Sequence, residues 1–210
     1  MRCSTLLALL TLAGAARAAA QDPRLDRLDP DTRAAVTAIV DSARAARLPT
    51  EPLVDRALEG ATKHAPGDLI VSAVRRLAGQ LGRAQELLGS SASAAELETG
   101  VAALRAGADP GVLARLKRGR PRRPLTVPLA VLADLVATGV PSDTAAAVVL
   151  ALARATDDDL VEFRRRVEHD IALGALPGTA ASRSYSEYVT SIAGDAPNTN
   201  ATPPSAPRKP

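Results

Sequence analysis

The feature that most constrains the fold is a helix-ending turn that recurs along the chain. The segments LEGAT, LRAGADP, LVATGVP and IALGALP each place a glycine after the last apolar residue of a helical stretch, and the last three add a proline shortly afterwards. Glycine accepts the left-handed conformation that ends a helix, and proline fits the first turn of the next one. The glycines are Gly60, Gly107, Gly139 and Gly174, separated by 47, 32 and 35 residues.

These turns predict antiparallel helical hairpins. Spacings in the low thirties are typical of hairpin arrays, in which each hairpin buries its apolar face against its neighbours. The alternative is a single irregular bundle, whose turns look alike because few residue types end a helix. The aromatic pattern of tetratricopeptide repeats and the TPLH residues of ankyrin repeats are both missing from the sequence, so we assign no family.

The composition favours helices over strands. Only three aromatic residues occur, Phe163, Tyr185 and Tyr188, whereas Ala, Leu, Val and Arg dominate. Strands favour aromatic and β-branched residues, and Ala, Leu and Arg are good helix formers. We therefore predict an all-α fold of about eight helices, packed as a compact bundle or a short α-solenoid-like array.

Polar residues mark several of the expected helix ends. Ser93 and Glu96 form an S-x-x-E capping box, which predicts a helix start. Thr50 and Ser142 are predicted N-caps of two other helices, because a side-chain oxygen at that position accepts a free backbone N–H. Gly60 is predicted to end the second helix.

Residues 1–20 are predicted to be a secretory signal peptide. Arg2 precedes the apolar run STLLALLTLAGAA, and small residues suited to signal peptidase follow it. Cleavage after Ala18 or after Ala20 fits, and the second is favoured because polar residues follow. An N-terminal helix of the folded domain is the alternative. We expect an exported protein, periplasmic or extracellular.

Removal of the leader changes the charge and the thiol content. Arg2, Arg17 and Cys3 leave with it, so the formal charge of +3 falls to +1 and no cysteine remains. The exported chain therefore has no disulfide and no thiolate metal ligand. No later apolar run is long enough for a transmembrane span, which needs about 20 residues.

The rest of the chain is predicted to form one helical domain with a tail. The domain spans residues 21–193, and the basic loop at 117–124 offers a point of subdivision. Residues 194–210 are rich in Pro, Asn and Thr and lack large apolar side chains, a composition that predicts a disordered tail.

The densest cluster of charge is the basic segment, Lys117 to Arg123, with Arg115 just upstream. It places five positive charges in seven residues broken by Gly and Pro, which predicts a solvent-exposed positive field. The leader argues against nucleic acid, so the expected anionic partner is lipid phosphate, lipopolysaccharide or an acidic protein. A plain solvated linker is the alternative. The candidate binding residues are Arg115, Lys117, Arg118, Arg120, Arg122 and Arg123.

No pattern of reactive side chains predicts catalysis. The two histidines, His64 and His169, do not complete a metal site, and the HExxH and GxSxG motifs are absent. The acidic run TDDDL at 156–160 is explained as a helix start, where the helix dipole favours negative charge. We predict no metal and no cofactor, and both histidines are expected at the surface.

Two functions are compatible with these patterns. The first is an exported, non-enzymatic binding or scaffolding protein that presents a helical groove to a protein or peptide. The second is an envelope-associated protein that binds anionic lipid or glycan through residues 117–123. An enzyme with Asp or Glu as its only acid–base groups stays open, and it would require two facing carboxylates in a pocket. A concave surface lined by Leu or Val favours the first function.

Overall fold

The protein is all-α. A computed structural model describes residues 22–194, with side chains to residue 191, and this part contains nine α-helices and no strand. The helices are α1 (Pro30–Ala45), α2 (Glu51–Thr62), α3 (Gly67–Leu88), α4 (Ala94–Ala106), α5 (Pro110–Gly119), α6 (Thr126–Ala137), α7 (Ser142–Ala151), α8 (Asp157–Ala172) and α9 (Pro177–Gly194). The predicted fold class is confirmed. The predicted signal peptide and the tail from residue 195 onward lie outside the described residues.

The described chain divides into two compact units. The first comprises residues 22–46 and 50–76, and the second comprises 47–49 and 77–194. Residues 117–124, where the sequence offers a point of subdivision, lie inside the second unit. The single domain spanning 21–193 stays a prediction.

The first unit contains α1, α2 and the first half of α3, together with a short 3₁₀ helix at Pro23–Arg27. Gly67, the first residue of α3, lies against Thr32 of α1. A Cβ at Gly67 would lie 2.0 Å from the Thr32 hydroxyl oxygen, closer than two such atoms approach. Only glycine therefore allows α3 to begin this close to α1.

Within residues 22–194, four corners between consecutive helices share one geometry. A residue with left-handed φ ends the helix, and the following residue donates its N–H to the carbonyl five positions earlier at 2.9–3.0 Å. The next helix begins three positions after the left-handed residue. This is the Schellman motif. The left-handed residues are His64 (53°), Gly107 (106°), Gly139 (92°) and Gly174 (97°).

Gly60 does not end α2, so that prediction is wrong. The helix continues to Thr62, and the left-handed position falls at His64. Gly60 lies inside α2 against Ile70 of α3, where a Cβ would lie 2.7 Å from Cγ1. The glycine is needed for close packing of two helices, a role that sequence alone does not distinguish from capping.

The predicted N-caps have three different outcomes. The capping box of Ser93 and Glu96 is present as predicted. Thr50 occupies the N-cap position of α2, but its side chain makes no capping hydrogen bond. Ser142 is not an N-cap. It is the first residue of α7, and its hydroxyl donates to the carbonyl oxygen of Gly107 at 3.0 Å.

The helices of the second unit form two layers. Helix α6 packs against α4 and α8 in one layer, and α7 packs against α5 and α9 in the other. The second half of α3 lies beside α4, where Leu88 approaches Gly100 so closely that a Cβ on the glycine would lie 3.1 Å away. Consecutive hairpins thus bury their apolar sides against one another.

The α4–α5, α6–α7 and α8–α9 corners stack in a row. Ser142, three residues after Gly139, contacts the Gly107 carbonyl of the preceding corner. Pro177 stands three residues after Gly174, and its Cγ lies 3.6 Å from the position of a Cβ on Gly139. Equivalent positions therefore make the contact at both junctions of the corner row.

Candidate functional site

The basic segment joins α5 to α6 and lies partly within a helix. Lys117 and Arg118 belong to the last turn of α5, which ends at Gly119. Positive charge is favoured there by the partial negative charge of the helix C-terminus. Arg122, in the connection that follows, adopts a left-handed φ of 63°.

Arg120 is buried, with 1% of its side chain exposed. The guanidinium donates to the carbonyl oxygens of Ala153 at 3.3 Å and Ala155 at 3.1 Å, and to the carboxylate of Asp157. The prediction that the whole basic segment faces solvent is wrong at this residue. The acceptors lie in the connection between α7 and α8 and at the start of α8, and they offset the cost of burying the charge.

Arg123 also contacts the connection between α7 and α8. Its two terminal nitrogens donate to the carbonyl oxygens of Arg154 at 3.0 Å and Ala155 at 2.9 Å. Like Arg120, it joins the α5–α6 connection to the α7–α8 connection. Unlike Arg120, it stays exposed.

Three of the candidate arginines make no ion pair within the described residues. Arg115, Arg118 and Arg122 are exposed, and within residues 22–194 no carboxylate pairs with them. We call these three the cationic patch. Lys117 is half-buried, and its charge acts on the carboxyl of Glu96. The structure thus divides the six candidate residues between internal contacts and a smaller exposed set.

Glu96 is a buried carboxylate that links α4 to the start of α6. One oxygen accepts the N–H of Leu125 at 2.8 Å, and the other accepts the N–H of Ser93 at 2.8 Å. Burial by itself would raise the pKa of this carboxyl. The hydrogen bonds from Ser93 and Leu125, aided by the charge of Lys117, outweigh burial and hold the pKa below its usual value.

A groove of about 410 Å³ lies between the second half of α3 and the α4–α5 corner. We call it the corner groove. Its lining includes Arg83, Val101, Leu104, Arg105, Ala108 and Pro110. Val101 and Ala108 are each 5% exposed and Leu104 is half-buried, so the interior is mainly apolar.

Two arginines stand at the rim of the corner groove. Arg83 pairs with Glu86 at 2.8 Å, and both side chains are largely exposed. Arg105 is exposed and has no carboxylate partner in the described part of the chain. An apolar interior beside an unpaired guanidinium suits a ligand that combines an apolar group with a negative charge.

The α8–α9 corner carries the most exposed large apolar side chains of the described residues. Leu173 and Leu176 flank Gly174, and each is 74% exposed. We call these three residues the leucine corner. At the α6–α7 corner the equivalent positions hold Thr138 and Pro141. The α8–α9 corner thus exposes two leucines where the α6–α7 corner has a threonine and a proline.

The histidines and carboxylates form no metal site in the part that the structure describes. His64 and His169 are both exposed, and no group of three or more His, Cys, Asp or Glu side chains is placed to hold an ion. Among the described helices, none combines the length and the apolar character needed to cross a membrane.

Comparisons of the chain with known protein families, curated proteins and solved structures found no match.

Neither the corner groove nor the leucine corner is predicted by the sequence reasoning. The sequence gives a weak indication of the leucine corner. No charged residue occurs between Asp170 and Arg183, although turns are usually polar and this segment contains one. No sequence pattern predicts the corner groove, because it forms between the second half of α3 and the α4–α5 corner.

Proposed function

We propose that the protein is an exported, non-enzymatic binding module that holds a partner protein or peptide in the corner groove. The observation that carries this proposal is the apolar interior beside the unpaired Arg105. The leader-like residues 1–20 support export, because the run Ser4 to Ala16 has the length and flanks of a signal sequence.

The stacked hairpins suit this role. Helix α6 packs between α4 and α8, and α7 between α5 and α9, so the hairpins support one another and their corners can serve as a binding surface. We propose that the three hairpins of the second unit are structural repeats, because the same corner position contacts the preceding glycine at both junctions.

The chemistry of the groove defines the partner. Burial of one or two apolar side chains would supply most of the affinity, and Arg105 would select a carboxylate beside them. The expected ligand is therefore a segment with leucine-like anchors and adjacent Asp or Glu.

Fluorescence anisotropy with short labelled peptides tests this function. The panel contains a peptide with two leucines flanked by glutamates, a version with flanking lysines, and a version with the leucines replaced by serine. We expect the glutamate peptide to bind most tightly and Arg105→Glu to weaken it about tenfold or more. Arg183→Glu, at another exposed and unpaired arginine, is the matched control. Equal binding of all three peptides would contradict the proposal.

The cationic patch favours a second function, binding to anionic lipid or glycan. Its three arginines lack carboxylate partners in the described residues, so their charge is available to phosphates at a surface. Binding of this kind is screened by salt, whereas the burial of apolar side chains in the corner groove is little affected by it.

Sedimentation with vesicles that contain phosphatidylglycerol separates the two functions. We expect the triple variant Arg115→Ser, Arg118→Ser, Arg122→Ser to lose binding, because the positive field is removed. The variant Arg75→Ser, Arg76→Ser, Arg183→Ser removes the same charge from exposed positions elsewhere and serves as the control. Equal loss in both variants would show a general charge effect and contradict a role for the patch.

A further inference from the structure

The corner row has one open end. Gly107 and Gly139 are contacted by the following corner, through Ser142 and Pro177 respectively. At Gly174 an added Cβ would meet no atom of residues 22–194 within 4 Å. In the part of the chain that the structure describes, no hairpin covers the surface of the α8–α9 corner that the two preceding corners use to bind the next hairpin.

The opposite end of the row is the corner groove. Pro110 stands three residues after Gly107, and it lines the groove. It is thus equivalent to Pro177, which contacts Gly139 inside the chain. Pro110 is exposed, so its equivalent contact is not made within the described residues.

We propose that the protein self-associates head to tail, with the leucine corner of one copy docked in the corner groove of a second copy. Pro110 of the second copy would then contact Gly174 as Pro177 contacts Gly139. The corner row would continue from one chain into the next. This inference rests on the corner groove being the binding site proposed above.

The charges of the two surfaces are complementary. Asp170 lies in the last turn of α8, beside the leucine corner, and within the described chain no cation pairs with its carboxylate. Negative charge is unfavourable at a helix C-terminus. No carboxylate among the described residues pairs with Arg105 at the rim of the corner groove, so an Asp170–Arg105 contact would give each group a partner of opposite charge.

The size of the contact sets its strength. The contact would be small, with two leucine side chains in a groove of about 410 Å³. A standard stable interface buries roughly 800 Å² of surface on each partner. We therefore expect weak, concentration-dependent association. Because the two surfaces differ, each added copy leaves one of each free, and association extends beyond a dimer.

Sedimentation velocity of the purified protein over a concentration series tests the inference. We expect the mean mass to rise about twofold or more over the mass of one chain as the concentration increases. Leu173→Glu with Leu176→Glu, and separately Arg105→Glu with Pro110→Glu, should each remain monomeric. An equimolar mixture of these two variants should form a dimer and nothing larger, because it contains one intact copy of each surface.

Two controls separate loss of the contact from a general charge effect and from loss of the fold. Arg27→Glu changes an exposed charge in the first unit and should associate like the unchanged protein. The helical circular dichroism of every variant is compared with that of the parent, and Leu173→Ser with Leu176→Ser replaces the glutamate pair if the latter does not fold.

Three results would overturn the inference. They are a monomer at all concentrations, association that survives the Arg105 and Pro110 substitutions, and a variant mixture that stays monomeric. If the full chain is monomeric while the glutamate-flanked leucine peptide still binds, self-association fails and the proposed binding function stands.

Discussion

Arg120, at the end of α5, forms an ion pair with Asp157, the first residue of α8, 37 positions later in the chain. The two partners differ in environment, since the side chain of Arg120 is 1% exposed and that of Asp157 is 41% exposed. The arginine also donates to two backbone carbonyls. The contact thus joins the end of α5 to the start of α8, across the α6–α7 hairpin. Because only Arg120 is buried, loss of either partner should cost a different amount of stability.

Removal of Arg120 should cost more stability than removal of its partner. Arg120→Ala opens a cavity and leaves two carbonyls without a donor, so we expect the free energy of unfolding to fall by about 3 kcal/mol. Asp157→Asn keeps an acceptor at a half-exposed position and should cost about 1 kcal/mol. Urea denaturation measures both, with Arg118→Ala as a nearly neutral control. Equal losses would contradict the asymmetry.

Glu96 should make stability depend on pH. Its pKa in the folded protein is held below the usual 4.5, so its contribution is present above that value and is lost as the pH falls through the folded pKa. At neutral pH we expect Glu96→Gln to lower the free energy of unfolding by about 1–2 kcal/mol. The difference should shrink as the pH falls below 4.5 and through the lowered pKa of the folded protein.

Urea denaturation of both proteins at several pH values tests this dependence on Glu96. Glu98→Gln alters an exposed carboxyl on the same helix and is the control. A difference that stays constant with pH would show that charge at Glu96 is not involved.

Two glycines should respond in opposite directions to alanine. Gly139 has a left-handed φ of 92° and lies against Pro177, so Gly139→Ala should lower the free energy of unfolding by about 1 kcal/mol or more. Gly79 lies in the middle of α3, and no atom of the described residues lies within 4 Å of an added Cβ. Gly79→Ala should raise stability by about 0.5–1 kcal/mol. Thermal melting distinguishes the two outcomes by their sign.

Replacement of His64 by glycine should raise the stability of the protein. It occupies the left-handed position that glycine occupies in the other three corners, with φ of 53°. A side chain in this conformation costs about 1 kcal/mol or more, so we expect His64→Gly to raise the melting temperature. Because His64 is exposed, few contacts are lost. A fall in melting temperature would mean that the imidazole makes a stabilising interaction.

The sequence predicted the helices well because their ends depend on nearby residues. Ser93 and Glu96 lie three positions apart, so their capping box can be read directly from the chain. Gly107, Gly139 and Gly174 adopt the predicted left-handed conformation for the same reason. Gly60 was misread because its neighbour Ile70 belongs to another helix.

The candidate site was predicted less well. Exposure of a basic side chain depends on which acceptors the fold brings to it, and Arg120 meets acceptors more than 30 residues away. The same limit applies to the corner groove, whose walls come from α3 and the α4–α5 corner.

By itself the sequence determined that this protein is helical and where most of its turns fall, because helix propensity and the Schellman motif act over a few residues. Tertiary structure alone decided which arginines are buried, which corners contact one another and which surfaces remain open. Those outcomes depend on distances between residues far apart in the chain, and helix packing sets these distances.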